Sequence, residues 1–352
     1  NLVIGLSGID EVILGKKVYK TKMDWEKNRI IIEKEVQKWF KFSNAISFIH
    51  VPSESDKKQM IEYLKIPEEK IHVIYHGVDH EKYKPSQNKE LARKRILGRF
   101  FMVDSPYFIH VGESNWARKN VFRMLEAYEK ARESGIIQKL ILVGRSDPIV
   151  YEKARSIEGI IVLGFVSEDD LANLLQGADA LIFPSLHEGF GLPLVEAMAC
   201  GIPVITSNVF SPPEIADGAG LFLDPYNTKN MTTELIEISR NDSLRNDLGK
   251  KAIERAKKFS WKYSVHTLFD LIRENTNYNS SSFDFNQSYD VAACRTLTTV
   301  CQIMPDLYNI AIRDLLKFDY SRIIQWALEV GLDKPEVADF LNPFKDWLIS
   351  HS

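Results

Sequence analysis

The sequence predicts an α/β protein centred on a doubly wound, Rossmann-like parallel sheet. Two observations predict it. Between Tyr107 and about Glu274, short β-branched runs alternate with amphipathic stretches of helical period, the pattern of parallel strands covered by helices on both faces. One apolar run, Ala180 to Phe183, then leads through a loop with two glycines into a helix, and the carboxyl ends of such strands are where open parallel sheets bind ligands.

The chain has 352 residues, room for roughly two domains. Hydrophobic residues at 45% and charged residues at 26% exclude disorder, collagen-like and coiled-coil classes for the chain as a whole. The 45 Lys plus Arg against 48 Asp plus Glu leave a net charge of -3, which argues against a surface dedicated to nucleic acid and requires any anion site to be built locally. Cys200, Cys294 and Cys301 have no CxxC spacing and fit a reducing compartment. No apolar run reaches the roughly 18 residues of a membrane span and no signal peptide opens the chain, so a cytoplasmic location is expected. The first residue is Asn1 rather than Met, and the native N-terminus is expected to lie upstream.

Residues 1–85 read as part of an N-terminal α/β region. They include a helical stretch from Met23 to Phe42, an apolar run from Ala45 to Val51 and a β-branched strand from Ile71 to Tyr75, followed by a His76-Gly77-Val78-Asp79 turn. Lys84 to Asn88 reads as a linker. The second domain, residues 86–274, carries strands at Tyr107–Val111, Lys139–Val143, Ile160–Leu163, Ala180–Phe183, Pro203–Thr206 and Gly220–Leu223. Helices are expected near Val121–Glu133, Pro148–Ser156 and Pro193–Cys200. Another begins at Ser167-Glu168-Asp169-Asp170, a capping-box start with Leu171, Leu174 and Leu175 on its apolar face. Residues 275–288, dense in Asn and Ser, form the clearest linker, and residues 289–352 show helical period without strands, an all-helical extension.

The segment Pro184 to Gly201 is the most informative. Pro193 sits in the first turn of its helix and Gly201 at the C-cap, while Gly189 and Gly191 let backbone N–H groups approach a ligand beside the helix N-terminus. A phosphate is the expected guest. Glu188 would be repelled by a diphosphate unless it faces sugar hydroxyls or positive charge developing on a sugar carbon, and Glu196 can accept from a ribose. Read singly, Glu188 is a solvated loop carboxylate and Glu196 interacts with its own helix dipole. In the same way Arg118-Lys119 is a solvated helix-start pair, His187 a solvated or backbone-bonded histidine, and Cys200 a packed small residue. Ser211-Pro-Pro-Glu214 reads as a helix N-terminus with an early acid.

These residues are not isolated. Glu188-Gly-Phe-Gly-Leu-Pro-Leu-Val-Glu196 resembles the E-x7-E signature of the retaining GT-B glycosyltransferases of family 4, and Ala197-Met-Ala-Cys-Gly-Ile-Pro-Val-Ile continues the match. In the same order along the chain, His72 to Asp79 resembles that family's inter-domain segment, His110 to Asn120 its phosphate-binding loop, and Leu163-Gly-Phe-Val-Ser167 its base-flanking strand end. The resemblance covers roughly Phe48 to Glu274. It implies a GT-B fold and retaining transfer of a hexose from a UDP- or GDP-sugar to an acceptor hydroxyl.

Carried over, the diphosphate contacts fall on Arg118 and Lys119, the donor sugar on Glu188 and the ribose on Glu196. Gly189, Phe190, Gly191, Leu192 and Gly112 line the donor, and Phe165 and Val166 frame the base or, as apolar residues at a strand end, belong to the core. No Asp-x-Asp pair is present and neither a metal nor another cofactor is expected, two adjacent cations compensating the departing diphosphate. Expected partners are the nucleotide sugar and an acceptor glycan, lipid-linked sugar or protein, with no nucleic acid. A peripheral contact at the inner membrane face, and a partner chain or missing N-terminal segment, are further expectations. Two departures stand out: Glu113 follows Gly112 where many members carry an Arg as a second diphosphate ligand, with Arg118 the expected substitute, and the part before Gly77 is about half the family's N-terminal domain. Alternatives left open are a non-catalytic donor-binding or structural subunit, and a sugar phosphorylase or epimerase on the same fold.

Overall fold

The structure is a computed structural model that describes residues 2–5, 46–113 and 118–275. The expected helix at Met23–Phe42, the linker after Asn275, the helical extension, Cys294 and Cys301 lie outside the described residues, as does the stretch 114–117 of the expected phosphate loop.

Two parallel sheets make up the described fold. The first has three strands in the order β1 (Leu2–Gly5), β2 (Ile46–Val51), β3 (Ile71–Val73). Helix α1 (Glu54–Leu64) follows β2 and starts where the Ser53 side chain accepts from the Asp56 amide. It ends at Lys65, held at φ 55. Met60 and Leu64 of α1 pack on Ile49, Val51, Ile66 and Ile71, a small core of its own.

The second sheet begins after helix α2 (Lys89–Arg99). Its elements run β4 (Tyr107–Val111), α3 (Val121–Glu133), β5 (Lys139–Val143), α4 (Pro148–Arg155), β6 (Ile160–Gly164) and α5 (Glu168–Gly177). Then follow β7 (Ala180–Phe183), α6 (Leu192–Ala199), β8 (Val204–Ser207), α7 (Ser211–Ala216) and β9 (Gly220–Leu223). Helices α8 (Thr228–Arg240), α9 (Asp242–Ala256) and α10 (Trp261–Asn275) close the described chain. The spatial order β6-β5-β4-β7-β8-β9 is the doubly wound order. The chain builds outward from β4, crosses back, and builds outward again from β7, so the order reverses between these two strands.

The expected strands and helices of this region are present, with boundaries that differ by a residue: β8 starts at Val204 rather than Pro203, and α6 spans Leu192–Ala199 rather than Pro193–Cys200. Ser167 caps α5 as its sequence expects, accepting from the Asp170 amide at 3.1 Å. Strand β3 is shorter than the expected run, ending at Val73, with Ile74 N still donating to Val51 O of β2 at 2.9 Å.

Alternate strand residues bury against opposite helical layers. Ile109, Val111, Ile141, Val143, Leu181 and Phe183 face Leu174, Leu194 and Met198. Phe108, Leu140, Leu142, Ala180 and Ile182 face Met124, Leu125, Val150 and Leu235. Each such fully buried Val, Leu, Ile, Met or Phe side chain contributes about 1.5–3 kcal/mol. Helices α1, α2, α8, α9 and α10 are not singled out by the sequence pattern; α2 is anchored by little more than Ile96 and Leu97 in an otherwise charged segment.

Helix α10 returns to the segment that joins the sheets. Val78 donates to Phe259 O at 3.4 Å, and Ser264 Oγ donates to Tyr75 O. Gly77 permits this crossing, since a Cβ there would lie 2.0 Å from the Trp261 backbone nitrogen. Among the described residues no helix is long and apolar enough to cross a membrane.

Candidate active site

The site grows from the order reversal. Strands β4 and β7 pair only where Phe108 faces Ala180 and Ile109 faces Leu181, and beyond them the two chains part toward opposite neighbours. The loops leaving their carboxyl ends therefore border one crevice. The β4 loop brings Gly112, Arg118 and Lys119; the β7 loop brings His187, Glu188, Gly189 and the start of α6.

Side chains bridge the two loops. Lys119 Nζ donates to Glu188 Oε1 at 2.6 Å, and Arg118 Nη1 lies 3.5 Å from Glu188 Oε2. The Lys119 ammonium also sits over the Phe183 ring, 4.7 Å from its centroid. Both Lys119 and Glu188 are buried, so this is a low-dielectric ion pair whose members depend on one another. On sequence grounds Glu188 awaits sugar hydroxyls for compensation; the structure places both cations on it. The solvated readings of Glu188 and Lys119 do not hold, because the second loop covers the first.

The backbone beneath is tied down. Leu186 N donates to Arg118 O at 2.8 Å. Asn120, in the left-handed region at φ 58, donates from Nδ2 to Pro184 O and Pro225 O at 3.1 and 2.7 Å. Ser211 Oγ donates to Glu188 O at 2.8 Å. His110 is fully buried at the end of β4 with Nδ1 donating to Ile182 O at 2.9 Å, and burial lowers its pKa to about 4, so it is neutral at pH 7.

Gly191 caps α6 at φ 92, a conformation that favours glycine, and directs the helix N-terminus to the crevice. Gly112, at φ 141, lies under Lys119: a Cβ there would be 3.5 Å from Lys119 Cε. Glu196 is buried on α6, and Leu192 opens that helix. The Phe190 ring is buried, edge-on to His76 at 5.0 Å and to Phe259 at 5.5 Å. Phe165 is 82% exposed and is no core residue. With Val166, Gly112, Glu113, Gly144, Arg145 and Leu171 it lines a cavity of about 400 Å³ over the ends of β4, β5 and β6. Cys200 is packed, and burial raises its thiol pKa, so it is no nucleophile at neutral pH.

The first sheet contributes residues that no spacing signals. His187 is buried rather than solvated: its Nε2 meets Gln59 Oε1 of α1 at 2.7 Å and its ring packs edge-on to Phe210, 4.6 Å between centroids. Gly189 approaches Asp56 so closely that a Cβ would fall 2.7 Å from Asp56 Oδ2. Glu214, at the start of α7 as expected, accepts from the Glu54 and Ser55 amides at 2.8 and 3.0 Å, compensating the N-terminus of α1. Burial and then Glu214 push the Tyr75 pKa up to about 12. The only sequence signal for these contacts is Ser53, which marks where α1 starts. Among the described residues no group of three or more His, Cys, Asp or Glu is placed to hold a metal ion.

Residues 99–255 match the family model for glycosyl transferases group 1, and residues 21–82 match that for Glycosyltransferase Family 4. The chain is 34% identical to O-antigen chain mannosyltransferase B of Escherichia coli over 47% of its own length and 45% of the relative's. It is 25% identical to the D-inositol 3-phosphate glycosyltransferase of Saccharomonospora viridis over 64% of this chain and 54% of that one. It thus spans about half or less of these relatives' lengths. In fold it is similar to sucrose-phosphate synthase from Thermosynechococcus elongatus, with a TM-score of 0.62 at 20% identity over 77% of this chain and 67% of that one. HepE of Anabaena, in complex with UDP and glucose, gives 0.61 at 19% identity over 79% and 71%. The two matched models, the doubly wound sheet and this crevice place the chain in the group 1, family 4 glycosyltransferases of GT-B fold.

Proposed function

We propose that this protein transfers a hexose from a nucleoside diphosphate sugar, UDP- or GDP-linked, to an acceptor hydroxyl with retention at the anomeric carbon. The observation that carries the reading is the Lys119–Glu188 pair with Arg118 beside it, set at the order reversal of the sheet and at the N-terminus of α6. In this reading the crevice takes the diphosphate. Arg118, Lys119 and backbone N–H groups stabilise the charge that grows on it as the glycosidic bond breaks through an oxocarbenium-like state. Glu188 holds the two cations in position and contacts the donor sugar, and Glu196 holds the ribose. The acceptor attacks on the same face, with the departing phosphate assisting its deprotonation. Glu188, salt-bridged and buried, serves as a polar contact rather than a covalent nucleophile. The acceptor is a glycan, lipid-linked sugar or protein, in the reducing compartment that the cysteine usage fits.

A sugar-transfer assay with UDP- and GDP-hexoses, read as nucleotide release and as anomeric configuration of the product, tests this. Release from one donor, abolished in Lys119→Ala and Glu188→Ala, is expected. Turnover that survives Glu188→Ala would remove the mechanism.

A further inference from the structure

We infer that Arg145 is a phosphate-binding residue of the donor site, supplying the cation that Glu113 denies to the loop after β4. The inference rests on the reading of the crevice as a nucleoside diphosphate site and adds a residue to it.

The argument begins with charge. At the crevice Arg118 and Lys119 both contact the Glu188 carboxylate, while Glu113 follows Gly112 on the first loop and Glu196 is buried on α6. A site so composed carries a net negative charge before any guest arrives, and it repels a diphosphate, which a helix N-terminus alone does not offset. His110 adds no charge at neutral pH, since burial lowers its pKa to about 4. A further cation is required.

Geometry places one. Gly112 N donates to Val143 O at 2.9 Å, which fastens the turn after β4 to the end of β5. At Gly144, φ 116, a Cβ would lie 2.3 Å from Gly112 O, so the two glycine turns are in backbone contact. Arg145 follows directly. Lys119 covers Gly112, and Arg145 lines the same cavity of about 400 Å³ as Gly112 and Glu113. The other walls are Val111, Val143, Phe165, Val166 and Leu171, which suit the flat face of a base and offer an anion nothing. Arg145 is the cation of that cavity, exposed, and its planar fork suits two phosphate oxygens at once.

The test is calorimetric titration of the full chain, wild type and the variants Arg145→Ala, Arg145→Lys and Glu113→Gln. The probes are UDP, GDP, uridine and guanosine. For whichever diphosphate binds the wild type, Arg145→Ala is expected to weaken binding about tenfold while leaving the matching nucleoside unchanged. Arg145→Lys restores part of the loss, and Glu113→Gln tightens the diphosphate. Unchanged diphosphate affinity in Arg145→Ala would overturn the assignment, as would an equal loss for nucleoside and diphosphate, which would put Arg145 on the base. A wild type that binds neither UDP nor GDP would instead bring down the donor-site reading, and this inference with it. Arg145 is exposed, so its replacement leaves the melting temperature of the unliganded chain in place, and a loss of binding is not a loss of fold.

Discussion

Lys119 and Glu188 stand 69 residues apart in the chain and meet at 2.6 Å, with only 9% and 7% of their side chains exposed. Each comes from the end of a different strand, and the strands are neighbours only because the order of the sheet reverses between them. A buried pair of this kind penalises the loss of one partner more than the loss of both.

Lys119→Ala is therefore expected to destabilise the fold by about 3 kcal/mol, because Glu188 is left buried with only the more distant Arg118. The Lys119→Met/Glu188→Leu double variant should lose less than the sum of its two single variants. Urea unfolding of the four proteins measures the coupling, and additive losses would show that the pair is not one unit.

Glu214 compensates the first turn of α1 across the boundary between the sheets, through the Glu54 and Ser55 amides. Glu214→Ala should cost about 1–2 kcal/mol in thermal unfolding. It should also lower the Tyr75 phenol toward its ordinary range, since Glu214 is one of the causes that raise it. A spectrophotometric titration of tyrosine that is identical in the variant would contradict the contact.

Gly77→Ala introduces a Cβ 2.0 Å from the Trp261 backbone nitrogen, where no side-chain rotation can relieve the clash. A loss of about 3 kcal/mol or more is expected, measured by denaturant midpoint. Gly98→Ala, on the surface with nothing within 4 Å of the added carbon, is the control and should be neutral or slightly stabilising.

Burial lowers the pKa values of His50 and His110 from 6.5 to about 4, and that of His76 to about 3, with the neighbouring His50 adding to the last. The unfolded chain takes up protons below pH 6.5 while the folded chain does not. The stability these residues contribute is thus complete above about pH 6.5 and is lost as the pH falls toward 4, at up to about 1.4 kcal/mol per pH unit for each histidine. Melting temperatures from about pH 7.5 down to about pH 5 should fall steeply. His110→Asn, which keeps a donor for Ile182 O, should flatten the fall.

Much of the second sheet was legible in the chain. Runs such as Phe108-Ile109-His110-Val111 and Leu140-Ile141-Leu142-Val143 are buried on both faces and read as continuous apolar strands. Ser167 and Pro193 announce their helices through backbone chemistry that acts over three or four residues. Helix α2 was not legible, because Lys89 to Arg99 buries only Ile96 and Leu97 and shows no stripe. The segment of the site could be found from Gly189, Gly191 and the Glu188–Glu196 spacing, but its partners could not.

His187 shows why. As a loop histidine it gives no local sign of burial, and its Gln59 partner lies 128 residues earlier, on a helix of the other sheet. Asp56 beneath Gly189 and Arg145 beside Gly112 are of the same kind. Periodicity, caps and turns are short-range properties of backbone and side-chain shape, so the residue order suffices for the strands, the helices and their parallel arrangement. Which charges neutralise one another depends on distances between chain segments far apart in the sequence. Those distances exist only once the sheet has assembled in its doubly wound order, bringing Lys119 to Glu188, and α1 has docked on the β7 loop, bringing Gln59 to His187.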